Sequence, residues 1–159
     1  MIIDIPNLKE LNFNGVINIG AGNGSYAKHY YELGISSVVW IEKDLKNDGP
    51  IYQNTKNFGM KQQYYFENIS SSDSDTTIRF KTFWRMNSAK IDIEIYDLLH
   101  IDVKKDQYDI LCGFDNFITN FKAIILTHEH NLDCKNYIEK NKYELITYTD
   151  TGHYLYLKS

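Results

Sequence analysis

Gly15-Val-Ile-Asn18-Ile-Gly20-Ala-Gly22-Asn-Gly24 decides the fold. A short, nearly continuous apolar run ends in glycines at alternate positions. Continuous apolar character suits a parallel strand covered on both faces, where an alternating pattern would suit a half-exposed one. Glycines at that strand end let backbone approach a ligand closely and turn sharply into a helix. The helix is expected from residue 25 to about 33, with Gly34 at its C-terminal end. Residues 37–42 (Ser-Val-Val-Trp-Ile-Glu) form the next strand. Strand, glycine turn, helix and strand together open a doubly wound α/β sheet. Glu42 closes that second strand, where an acidic side chain can accept hydrogen bonds from the two hydroxyls of a ribose. The plainer reading makes residues 20–24 a tight turn and Glu42 a surface cap.

Outward from this unit, residues 44–58 are polar and include a short helix, and residues 61–69 form a third strand. Ser70 to Asp75 is a loop. Residues 76–86 alternate, with Ile78, Phe80, Thr82 and Trp84 on one side, which predicts a half-exposed strand. Residues 91–96 add a short extended piece, and residues 98–103 a buried strand. Ile110, Leu111, Phe114 and Phe117 have helical spacing within residues 106–117. Residues 122–127 are the most apolar strand, and residues 132–141 a helix. Two strands, 143–149 and 154–158, are joined through Asp150-Thr-Gly-His153 as a hairpin. The expected architecture is a Rossmann-like, doubly wound, mostly parallel sheet with a C-terminal antiparallel hairpin. It fills one domain over 1–159: a lead-in (1–14), a cofactor-binding half (15–69), a loop with an extra strand (70–96) and an acceptor-side half (97–159).

Composition agrees with a single globular unit. The chain has 159 residues, of which 43% are hydrophobic and 24% charged, with only 2 Pro. That excludes a disordered tail or a Pro-rich linker. The formal net charge of −4 lacks the basic footprint of a nucleic-acid binder. Cys112 and Cys134 have neither zinc spacing nor a disulfide framework, so free thiols are expected. The first residues lack a basic and then apolar leader, and the apolar runs are too short to span a bilayer. The expected setting is cytoplasmic, with no membrane partner. Aromatics are enriched at 14%, which suits sugar stacking, a subunit interface or a packed core.

A phosphate-binding loop would end in Gly-Lys-Ser/Thr, which is absent, and the glycines run G-x-G-x-G where a dinucleotide fingerprint needs G-x-G-x-x-G. That pattern, with the terminal hairpin, resembles class I S-adenosylmethionine-dependent methyltransferases. More narrowly, Gly15-Val-Ile-Asn-Ile-Gly-Ala, Tyr31-Glu-Leu-Gly-Ile, Val39-Trp-Ile-Glu42, Asp97-Leu-Leu-His-Ile-Asp-Val103, Ile110-Leu-Cys-Gly-Phe114 and Gly152-His-Tyr-Leu-Tyr156 are similar to the FkbM family. The resemblance covers about residues 15–157. It implies S-adenosylmethionine as cofactor, held by Asn18, Gly20, Ala21, Gly22, Gly24, Glu42 and Asn68. It also implies O-methylation of a sugar hydroxyl in a glycan or related small molecule. Asn18 stands where the family carries an acidic residue, Lys104-Lys105 where it has Glu/Gln-Gly, and Gln107 where its helix has Glu.

Ligands of such sheets sit beyond the carboxyl ends of the strands. The catalytic candidates there are Asp102, His128 and Glu129. Asp102 is the first choice, as general base or acceptor-orienting group, with helix N-cap as its other role. His128 and His130 lack a clear third ligand, so no metal is expected. His100 reads as a hydrogen-bonded core residue, His29 as surface, and Tyr26 as a cofactor neighbour or packing residue. Two further readings stay open: an RNA or protein methyltransferase on the same sheet, and a degenerate fold kept for binding. A chain this short leaves a shallow acceptor site, or one completed by a second copy.

Overall fold

A computed structural model describes residues 4–128 and 131–159. The main sheet has strands β1 (Gly15–Ile19), β2 (Ser37–Glu42), β3 (Lys61–Phe66), β6 (Leu98–Ile101), β7 (Ala123–Thr127), β8 (Tyr143–Tyr148) and β9 (His153–Lys158). Their order is β3-β2-β1-β6-β7-β9-β8. The β1–β2, β2–β3, β1–β6 and β6–β7 pairs are parallel, and β9 runs antiparallel to both β7 and β8. This is the expected doubly wound sheet with its closing hairpin. The strand order reverses at β1, so the carboxyl ends of β1 and β6 open a crevice there.

The continuous apolar runs are explained by two cores, one on each face. In β1, Val16 packs with Val38, Trp40, Leu98 and Ile125, under α1 (Ala27–Glu32) and α2 (Asp48–Thr55). Its neighbour Ile17 points the other way, to Val39, Leu99 and Ile124, under α4 (Gln107–Cys112) and α5 (Leu132–Lys140). Successive side chains alternate faces, so a strand covered twice must be apolar throughout. The aromatic enrichment goes largely into these cores: Trp40, Tyr30, Tyr143, Tyr156, Phe80, Phe83, Phe114 and Phe121 are all fully buried.

Residues 76–86 depart from the expected strand. Two residues, Ile78–Arg79 (β5), pair with Ile69–Ser70 (β4), and Phe80–Asn87 form helix α3. The alternation had two periods hidden in it. Phe80 and Phe83, three apart, are both buried, and Phe80 stacks on Phe114 with ring centroids 4.0 Å apart. Asp73 fastens the first turn, accepting from the Arg79 backbone N–H (2.9 Å), Arg79 Nε (3.0 Å) and Thr82 Oγ1 (2.9 Å). One stacked aromatic contact and one acidic anchor outweigh the weak strand pattern. Residues 93–95 likewise form a 3-10 turn where an extended piece was expected. Among the described residues, no helix is long and apolar enough to cross a membrane.

Candidate functional site

Beyond the carboxyl ends of β1, β2 and β6 lies a cavity of about 500 Å³. Its walls include Gly20, Gly22, Glu42, Asn68, Asp102 and His128, all expected from sequence at a site. That volume falls in the range that takes a small-molecule ligand or cofactor.

The glycine turn is tied to the neighbouring strand. The Gly20 and Ala21 N–H groups both donate to Ile41 O, at 2.9 and 3.2 Å. Gly20 has φ +81°, and a Cβ there would lie 2.2 Å from Asp102 O. The missing side chain is what lets β1 and the end of β6 close up. Gly22 differs: φ is +54° and a Cβ would meet nothing within 4 Å. It leaves room at the cavity wall, a cradle that a side chain would fill. Gly24 (φ +79°) faces away, toward Thr55 and Ile51 of α2. Ala21 is buried and Gly24 makes helix contacts, so both support the turn without lining the cavity.

Glu42 is 8% exposed, yet both its oxygens are engaged. Oε2 accepts from Gly22 N–H at 2.6 Å and Oε1 from Asp44 N–H at 2.8 Å. A carboxylate has about four acceptor positions, so two remain for a ligand's hydroxyls. Glu42 is thus no mere surface cap; it braces the turn and lines the cavity.

Asn18 lies apart from the cavity. Its side chain is fully buried on the α1 face, where Nδ2 lies 3.2 Å from His100 Nδ1. Tyr30 Oη is 2.5 Å from that same nitrogen, and His100 Nε2 is 2.7 Å from Thr127 Oγ1. Two donors converge on Nδ1, so Nδ1 accepts and Nε2–H donates to the threonine. Burial holds His100 well below the usual imidazole range, hence neutral. His100 is the hydrogen-bonded core residue the sequence suggested. His29 is half-buried where a surface position was expected.

At the other end of the cavity, Asp102 Oδ1 lies 2.7 Å from His128 Nε2. The contact is short, but its alignment is poor, and Oδ1 has no well-directed hydrogen-bond donor. Burial raises the Asp102 carboxyl, opposed by the neighbouring His128 and Tyr26 side chains. Asp102 does not cap the following helix; the residue before α4 is Asp106, at φ +67°. His128 itself has φ +76°, a left-handed conformation that is strained for a residue with a Cβ. Tyr26 does not line the cavity; its hydroxyl is 3.3 Å from His153 Nε2. Glu129 and His130 lie outside the described residues. Sequence reasoning missed Lys43, Glu67 and Asp106 as lining residues. Lys43 and Glu67 each directly follow a strand end and Asp106 directly precedes α4, the one signal that could have found them.

The same fold occurs in solved methyltransferases. The chain has the class I methyltransferase fold. It is similar to the ribosomal protein L11 methylase of Lactobacillus delbrueckii subsp. bulgaricus, with TM-score 0.62 and 15% identity over 96% of this chain and 77% of that one. A tRNA (m1A22) methyltransferase candidate of Streptococcus pneumoniae, solved with S-adenosyl-L-methionine, matches with TM-score 0.59 and 12% identity, covering 94% of this chain and 68% of that one. The fibrillarin pre-rRNA processing protein of Methanococcus jannaschii matches with TM-score 0.61 and 10% identity, covering 92% and 66%. At such identities the likeness is one of fold. No protein-family model matches the chain, and no curated protein matches it in sequence.

Proposed function

We propose that this chain is an S-adenosylmethionine-dependent methyltransferase that methylates a hydroxyl, on a sugar of a glycan or related small molecule. The observation that carries the reading is the cavity itself. It sets an open glycine wall and a buried carboxylate with spare acceptor positions at one end, and an Asp-His pair at the other. The FkbM-like motifs support the sugar acceptor. Related folds act on other classes, tRNA and ribosomal protein among them by their names, so the acceptor rests on those motifs alone.

The residues fit the cofactor. Gly22 leaves room for it, and Glu42 would take its ribose hydroxyls. When bound, S-adenosylmethionine supplies a methyl group on a sulfonium, an electrophile open to in-line attack. The chain's task is then to position the acceptor oxygen and remove its proton. His128 presents Nε2 to Asp102, which leaves Nδ1 as the base for the acceptor hydroxyl. Asp102 orients that ring and stabilises it once protonated, and the proton leaves to solvent through the partly exposed His128. Glu129 adjoins this pair in sequence and stays a candidate. Asn68 lines the cavity on the β3 side and would neighbour the adenine. A second copy could complete the acceptor side.

Calorimetry with S-adenosylmethionine tests the reading, and no binding at millimolar ligand would sink it. Glu42→Ala is expected to weaken binding by about 1.5–3 kcal/mol, through lost charge-assisted hydrogen bonds. Unchanged affinity would remove Glu42 from the ribose. Methyl transfer to sugars, RNA and protein extracts then sorts acceptor classes. Tight cofactor binding with no transfer to any of them would favour a binding module.

A further inference from the structure

Gln107 is the first residue of α4 and does not line the cavity, yet its amide reaches both strand ends that carry the Asp-His pair. Nε2 donates to Val103 O at 2.9 Å and also to Thr127 O. Val103 directly follows Asp102, and Thr127 directly precedes His128. One buried nitrogen with two hydrogens thus holds the carbonyl next to each member of the pair. Gln107 is 5% exposed, and its bond to Thr127 O is fully buried while that to Val103 O is part-buried.

Thr127 is held a second time. Its hydroxyl meets His100 Nε2 at 2.7 Å, from the opposite side of the sheet. The backbone is therefore fixed just before His128 turns into its left-handed conformation at φ +76°. Such a conformation persists only where its surroundings over-determine it. The Asp102–His128 contact is short but poorly aligned, so it does not hold the ring in place unaided.

We propose that Gln107 is a positioning residue, whose two amide hydrogens set the distance between Asp102 and His128. The inference rests on the Asp-His pair of the proposed function. The residue type follows from the task. An ionised Glu has no hydrogen to give and would turn a carboxylate toward two carbonyl oxygens. Met fills the space and donates nothing.

The test is a double-mutant cycle on unfolding stability that needs no acceptor. Asp102→Asn and His128→Ala are made singly and together, first in the natural chain and then with Gln107→Met. In the natural chain the two sites are expected to couple by roughly three- to tenfold in the unfolding constant. With Gln107→Met, that coupling should fall to about none. A merely structural glutamine would lower stability while leaving the coupling intact, and that result overturns the proposal. If Gln107→Met does not fold, Gln107→Glu, nearly the same in volume, replaces it with the same expectation. No coupling in the natural chain would mean instead that the Asp-His pair is not a unit, which defeats the pair and the clamp together. Full cofactor binding alongside that result would still leave the cofactor half of the proposed function standing.

Discussion

Gly20→Ala is expected to destabilise the chain by about 2–5 kcal/mol, adding a left-handed penalty to an overpacking one. Gly20 sits at φ +81°, and its added Cβ would stand 2.2 Å from Asp102 O and 2.6 Å from Val103 Cγ1. The first obstacle is backbone and cannot swing aside. Relief requires β1 and β6 to part just where Asp102 N–H donates to Ile19 O at 2.8 Å. Gly34→Ala is the control. It has nearly the same φ, +82°, but nothing lies within 4 Å of its Cβ, so only the conformational cost of about 1–2 kcal/mol should appear. Urea unfolding of the two variants measures the difference. Equal losses would mean that the close approach of the two strands carries no energetic weight.

Acidification is expected to destabilise the fold through His153. This ring is 3% exposed, and burial, reinforced by the nearby His128, lowers it from 6.5 to about 4. Its nitrogens meet Tyr26 Oη at 3.3 Å and Thr151 Oγ1 at 3.0 Å. The unfolded chain binds the proton more readily. Stability from the neutral ring is therefore complete above pH 6.5 and is lost as pH falls toward 4. Linkage puts the loss between pH 7 and pH 5 at about 2 kcal/mol. The still more buried His100 acts in the same direction. Asp102 acts in the other, because burial raises its carboxyl. The informative quantity is thus the difference between the natural chain and His153→Gln. That variant should lose less stability on acidification, and parallel pH profiles would show that His153 stays protonatable in the fold.

Much of this fold was legible because its signals are local. A continuous apolar strand, alternate glycines and a strand-ending acid lie within residues 15–42, and each needs only its neighbours to act. Helix α3 was misread because residues 76–86 satisfy two periods at once. The choice between them was made by Phe114 and Asp73, a distant stacking partner and a loop anchor. Asn18 shows the same limit at the site. Its position in the glycine motif points to the cofactor, but strand alternation turns it to the α1 face, against His100.

The sequence by itself determined the sheet class, the glycine turn, and the presence of Glu42, Asp102 and His128 at strand ends. It could do so because strand period and turn chemistry are properties of adjacent residues. Only the tertiary structure decided which of these side chains converge. Gly22 N–H reaches Glu42 Oε2 across 20 positions, Asp102 meets His128 across 26, and one amide on α4 ties the ends of β6 and β7 together. Those contacts depend on how parallel strands are laid side by side, which no local pattern specifies.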